Sequence, residues 1–562
     1  GNNKYVYALI ESKKNALYRS TDGGYSWERR GEKTIGNRPF YYADIYVDPA
    51  NENRLYTLYS QVNVSEDGGK SFSTLVGNNI HLDHHAWWIH PEDPTFMIDG
   101  NDGGLAITYD RGKNWRHISN LPVSQFYHIS VDMELPYHVC GGMQDNGSWR
   151  GPAYQWRGGG IINTDWDFLL GGDGFDVVPA AGDPSTCYAM SQQGNVRRIN
   201  LNTGATVDIK PVKTGETELR FHWNSAIAQD PFDAGTIYFG SQFVHKSTDR
   251  GDSWITISDD LTTNDSTKQK FNESGGLTYD VTGAENHTTI LAIAPSPVEQ
   301  GLMWVGTDDG NIQLTTDGGA NWKNCSPTIK ELPEGAWIPQ IVPSVLKGGE
   351  AWVVVNNYRQ NDYAPYLYHT SDYGKTWTRV IEEGDVPGYV LSFAVDPEET
   401  RLQFLGTEYG LYVSIDGGEN WTKWTHGYPT VPTMDLVIHP REYDLVIGTF
   451  GRSAYVLDDI RPLRALARDG EEILKAVIHP LEAPVAYLAA RKNAPGYYFT
   501  GDAYYEGENR STGARLSYFV QLEEAEPTKK DTRTIEVRDK DMKLLRTLKR
   551  VPEHGLNRSV WY

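Results

Sequence analysis

Apolar and polar residues alternate along this chain in short blocks, with no sustained helical period. An apolar run ends at Asp-Pro or His-Pro, a turn follows, and a second apolar run ends near Gly. Ile45-Tyr-Val-Asp-Pro49 leads to Leu55-Tyr-Thr-Leu58, and Trp88-Ile-His-Pro91 leads to Met97-Ile-Asp-Gly100. Val177-Val-Pro179 is a lone first run, while Ile227-Ala-Gln-Asp-Pro231 precedes Ile237-Tyr-Phe-Gly240. The phrase returns at Ile293-Ala-Pro295, Phe393-Ala-Val-Asp-Pro397 and Leu436-Val-Ile-His-Pro440, each with its partner run. Apolar runs bounded by Pro and Gly predict strands buried on both faces.

A second phrase, Ser/Thr-x-Asp-x-Gly-x-x-Trp/Phe, follows these runs in seven copies centred on Asp22, Asp67, Asp110, Asp249, Asp317, Asp372 and Asp416. Each reads as a turn: the carboxylate accepts nearby backbone N–H groups, Gly takes a positive φ, and the aromatic ring packs back under the turn. These Asp residues are therefore assigned a folding role. The two phrases together mark about ten units between residues 1 and 462, roughly 45 residues apart. Between Asp110 and Asp249 lie units without the turn, around Tyr137-His-Val-Cys-Gly-Gly142 and Cys187-Tyr-Ala-Met190. Inner strands from the first phrase, with outer strands joined by the second, predict β-propeller blades.

Past Leu463 the pattern changes. Arg464 to Leu474 has room for a short helix, and 480–498 reads as an extended Pro- and Ala-rich connection. From Arg515-Leu-Ser-Tyr-Phe-Val-Gln521 the chain alternates again, through Thr534-Ile-Glu-Val-Arg538 and Leu544-Leu-Arg-Thr-Leu548. That alternation predicts the start of a β-sandwich. The chain opens on Lys4-Tyr-Val-Tyr-Ala-Leu-Ile10 and closes on Val560-Trp-Tyr562, both strand-like, so truncation at both ends is expected.

Composition narrows the function. The 562 residues exceed one domain, and 17 Trp, 34 Tyr and 56 Gly suit tight-turned β structure. A formal charge of −22 disfavours nucleic acid and anionic membranes as partners. Cys140, Cys187 and Cys325 have no zinc spacing and make no disulfide framework. No apolar run is long enough to span a membrane.

Taken together, the seven turns and Thr449-Phe-Gly-Arg-Ser-Ala-Tyr-Val-Leu-Asp-Asp459 resemble Asp-box, or bacterial neuraminidase, repeats. They look like those of large bacterial proteins related to the sortilin propeller and often labelled glycosyl hydrolase. His81-Leu-Asp-His-His85, Gly100-Asn-Asp-Gly-Gly104 and Gly141-Gly-Met-Gln-Asp-Asn146 fit the same family, and the tail resembles its immunoglobulin-like module. The resemblance implies an all-β architecture of tandem seven-bladed propellers, the first incomplete in this chain. Residues 1–125 would close that first propeller, 126–462 form the second, 463–500 connect, and 501–562 begin the sandwich. A single ten-bladed ring is the alternative.

Two clusters carry candidate chemistry. His81, Asp83 and His85 fall on one face of an extended segment and offer either a metal site or a hydrogen-bonded polar rim; otherwise no cofactor is expected. Asp102, Asp145, Asp173, Asp308, Asp309 and Glu408 sit at the ends of inner strands. Two-propeller xyloglucan-active glycosidases are similar in placing one catalytic Asp per propeller in such turns, which implies Asp102 and Asp309 as the pair. A sialidase needs three converging arginines, and Arg197, Arg198 and Arg452 form no such set. The leading expectation is a secreted, cell-surface or periplasmic binding scaffold that takes a peptide, protein or glycan through its propeller faces, exported by a signal peptide outside this chain. His81, Asp83, His85, Asp145, Asp173 and Glu408 would line its binding surface. The alternative is a polysaccharide hydrolase working between two propellers.

Overall fold

In the computed structural model the described residues are 2–36, 42–75, 80–157, 159–213, 215, 217–270, 286–486, 501, 502, 504–522, 530 and 532–562. They form antiparallel sheets almost throughout, most of them four-stranded meanders in sequence order. In the blade over 290–324 the sheet begins with inner strand Ile290–Pro295, continues through the fully buried Met303–Thr307, and ends on a two-residue edge strand. The other blades that carry the repeated turn also end on a two-residue edge strand. The buried second strands are the apolar runs that end at Gly, which explains their lack of alternation.

Seven sheets, spanning 126–170, 174–208, 227–256, 290–324, 337–379, 390–423 and 433–457, pack their inner strands side by side in sequence. The circuit closes because Phe126–Val131 packs against Thr433–Ile438. Ile129 N donates to Asp435 Oδ2 at 3.0 Å, Tyr137 Oη donates to Asp444 Oδ2 at 2.9 Å, and Gly451 N donates to the Ser124 carbonyl at 2.9 Å. A seven-bladed ring satisfies the sheet edges that an open array would expose. Closure at 126 sets aside the single ten-bladed ring. Three further sheets, over 6–29, 44–74 and 84–117, precede it.

The repeated turns share one hydrogen-bond pattern. Ser20 Oγ donates to Asp22 Oδ1 at 2.7 Å, Gly24 N donates to Ser20 Oγ at 2.8 Å, and Ser26 N donates to Asp22 Oδ1 at 2.9 Å. The same set recurs around Asp67, Asp110, Asp249, Asp317, Asp372 and Asp416. With both oxygens occupied, these carboxylates are held ionised: the Asn114 side-chain amide and then its N–H bring Asp110 down to about 2. The turns join the two outer strands of a blade, and their Trp rings pack between sheets, as Trp377 does against Trp304 at 5.9 Å.

Helix α1, Arg461–Lys475, follows the ring and is longer than the sequence suggested. Buried Arg464 anchors it to Asp396 at 2.9 Å. The connector expected over 480–498 lies partly outside the described residues. Strand Ile478–Pro480 pairs with Ala514–Val520, which pairs with Gly555–Trp561, so the terminal sheet draws on residues before 501. Arg510 reaches back to Asp444 and Asp458 of the last blade and lies 4.0 Å from the Tyr154 ring centroid.

Candidate functional site

Three turns meet where the sheet over 84–117 abuts the ring. Asp102 occupies the hairpin between Met97–Asn101 and Gly104–Thr108. Asp145 tips the hairpin between His138–Met143 and Gly147–Pro152, at φ +58°. Asp173 precedes strand Gly174–Pro179. Backbone bonds fix the joint: His81 Nε2 lies 3.0 Å from the Asp145 carbonyl, and Asn146 Nδ2 donates to the Asp102 carbonyl at 2.8 Å.

The carboxyls of Asp102 and Asp145 share a hydrogen bond. Burial, then the Asp173 and Asp102 charges, push Asp145 up to about 8. Asp145 therefore holds the proton, within hydrogen-bond reach of both Asp173 and Asp102. Burial also raises Asp102, but the His85 imidazole, its Nε2 3.0 Å away, favours the ionised form. Asp173 is fixed from two sides, accepting the Asp145 N–H at 2.6 Å and the Trp223 indole N–H at 2.9 Å. The joint thus sets a proton-holding carboxyl beside a second carboxyl whose ionised form His85 favours. Beside it Trp149 donates to the Asn146 carbonyl at 2.7 Å and meets Phe168 edge-on at 5.1 Å. Phe168 is 57% exposed, so the pair leaves an apolar face open to solvent.

His81, Asp83 and His85 do come together here, as a hydrogen-bonded rim. His81 spends its ring nitrogens on the Leu82 and Asp145 carbonyls. Asp83 accepts from the Tyr42 hydroxyl, and His85 faces Asp102. Among the described residues no group of three His, Cys, Asp or Glu is disposed to hold a metal ion. His84 points away, buried against Asp99 at 2.8 Å.

Asp309 stands apart from Asp102. One oxygen accepts from the Thr263 N–H and hydroxyl, both at 2.7 Å, and the other accepts from Thr307 Oγ1 at 2.5 Å. The rim loop around Thr263 folds over this carboxylate, and among the described residues no hydrogen bond or ion pair joins it to Asp102. Neighbouring Asp308 is buried under Thr289, and burial lifts it to about 7. Glu408 lies in another blade against Gly388, raised by burial. Arg197 and Arg198 are tied to Asp208 and Asp252. Sequence reasoning missed Tyr42, Asn146 and Trp223. The run Gln144-Asp-Asn146 marked Asn146, whereas nothing local to Tyr42 or Trp223 reveals a partner this far along the chain.

No known family model matches the chain. It is 29% identical over 156 residues to a probable oligoxyloglucan-reducing end-specific xyloglucanase of Neosartorya fischeri, covering 26% of this chain and 18% of that protein. It is 23% identical over 470 residues to a xyloglucanase of a Paenibacillus species, covering 79% of this chain and 40% of that protein. The chain thus spans well under half the length of either curated relative. Among solved structures it is similar to the GH74 enzyme of Niastella koreensis at 12% identity and TM-score 0.39, covering 81% of this chain and 80% of that one. Both curated relatives are named as enzymes, which overturns the expectation of a non-enzymatic binding scaffold. The chain is a β-propeller protein that is similar, over part of their length, to two proteins named as xyloglucanases.

Proposed function

We propose that this protein hydrolyses a polysaccharide in the cleft between the sheet over 84–117 and the seven-bladed ring, with Asp145 as general acid and Asp102 as general base. The hydrogen-bonded pair of carboxyls in opposite protonation states carries the reading, because glycoside hydrolysis needs one acid and one base around a single bond. Asp145 rather than Asp309 faces Asp102, since one oxygen of Asp309 is committed to the Thr263 loop and the other to Thr307. The xyloglucanase names of the two relatives agree with a glycan substrate.

The two carboxyls touch, whereas hydrolysis requires them about 5–10 Å apart. A sugar chain entering the joint takes the place of their mutual hydrogen bond and separates them. Asp145 then protonates the glycosidic oxygen, and Asp102, oriented by His85, takes a proton from the attacking water. In the same reading residues 1–125 supply the final blades of a first propeller, and the protein works outside the cell, where such polymers are found. The test is reducing-sugar release from xyloglucan and other β-glucans by wild type, Asp102→Asn and Asp145→Asn. Loss in both variants is the expected result; release that survives both substitutions would overturn the assignment.

A further inference from the structure

The face of the ring that carries Asp145 holds a second built site. Arg359 and Asp145 each follow the second strand of their blades, Ala351–Asn357 and His138–Met143. Tyr127 lies between the two places, its hydroxyl influenced by Asp173 and Asp145 and also by Tyr358 and Arg359. Around Arg359 opens a pocket of about 590 Å³, lined among others by Trp337, Asn356, Asn357, His287 and Lys268.

Its chemistry is unbalanced in two ways. Arg359 lies flat on Trp337, 3.3 Å from the ring centroid, and 4.4 Å from that of Tyr358, yet neither it nor Lys268 forms an ion pair with any described residue. Asp308 acts on Arg359 and Asp265 on Lys268, but the Asp308 carboxyl is spent on Thr289 and neither acid pairs with its cation, so the two cations at one mouth stay open to an anion. Within the pocket wall, Asn356 Oδ1, Asn357 Oδ1 and His287 Nδ1 are buried without a hydrogen-bond partner. Asn356 and Asn357 are only 4% and 9% exposed. The Asn357 amide nitrogen is already spent on Asp362 at 3.0 Å, so its oxygen is a true acceptor awaiting a donor. His287 is kept neutral by burial and its other nitrogen is engaged by the Asp308 backbone, so Nδ1 is a further acceptor.

A bare anion would satisfy the cations and leave the amide oxygens stranded; a neutral sugar would do the reverse. We infer that this pocket binds the uronic acid residue of an acidic polysaccharide. Its carboxylate would lie against Arg359 and Lys268 and its hydroxyls would donate to Asn356 and Asn357. The inference deepens the hydrolase reading and rests on it for the polymer, because the pocket opens on the same face as the Asp102–Asp145 joint.

Calorimetric titration tests it with fragments of polygalacturonate, glucuronoxylan and alginate, each beside its carboxyl-reduced counterpart, and with neutral xyloglucan oligosaccharides. At least one acidic fragment should bind about tenfold or more tightly than its reduced form. Arg359→Gln and Lys268→Gln should each remove most of that preference while changing binding of the reduced form less than twofold. Near-UV circular dichroism controls for the ring stack under Arg359, and Lys268→Gln touches neither ring. Equal binding of every acidic fragment and its reduced form overturns the inference. So does selective capture, from a mixed pool, of peptides with free but not amidated C-termini, which would make the pocket a peptide-carboxylate site. Asp102→Asn should keep the preference. Acidic binding without hydrolysis would remove only the hydrolase reading, and hydrolysis of neutral chains without acidic preference would remove only this one.

Discussion

The Asp145 carboxyl lies within hydrogen-bond reach of Asp102 across the joint between two sheets and of Asp173 behind it, and Asp173 also accepts the Asp145 backbone N–H at 2.6 Å. The second relationship tunes the first, because the Asp173 charge is the largest electrostatic cause holding the Asp145 proton after burial. Asp173→Asn removes that charge and leaves an oxygen for the N–H. The alkaline limb of kcat/KM should then move below its wild-type position near pH 8, with kcat at the optimum falling less than in Asp145→Asn. An alkaline limb that stays in place would mean that Asp145 is not the acid.

Stability carries the same signature without any substrate. A carboxyl raised in the folded state contributes stability that is complete below its unfolded value near 4 and is lost as pH rises through about 8. Asn at this position is neutral throughout. Asp145→Asn should therefore match wild type in Tm near pH 4 and exceed it above pH 8, as followed by calorimetry. Asp102, Asp173, Asp83, His81 and His85 all face this joint, so the comparison is made variant against wild type at each pH. A constant Tm difference across the range would contradict the raised carboxyl.

The repeated turns support the fold. Gly69 sits at φ +84°, and a Cβ there would come within 2.2 Å of Leu17 Cδ2. Gly69→Ala should cost about 1–3 kcal/mol through backbone strain and overpacking. Urea denaturation measures the loss, and hydrolysis at low temperature should be unchanged.

Arg510 holds the terminal sheet to the ring. Asp444 is fully buried, and burial raises it to about 6 against the pull of the Arg510 guanidinium. Arg510→Ala strands that carboxyl and should cost about 3–5 kcal/mol. Limited proteolysis should then cut the chain after α1, and a variant as resistant as wild type would show that the contact does not hold the sheet in place.

The sequence by itself determined the all-β class, the blades and the folding role of the turn carboxylates. Each of those depends on contacts made within one repeat: Ser20, Asp22, Gly24 and Ser26 satisfy one another within seven residues. It also marked Asp102, Asp145 and Asp173 as acids at strand ends, since their turns are local too. What the tertiary structure alone decided is which acids meet. Asp102 and Asp309 occupy look-alike turns, but one faces Asp145 across a joint and the other is covered by a loop from the preceding blade. Ring closure through Ile129 and Asp435, and the exposed cation at Arg359 beside unpartnered amides, rest likewise on residues far apart in the chain. Local hydrogen bonding writes itself into a short motif. Partner choice between blades depends on ring geometry, which no single repeat encodes.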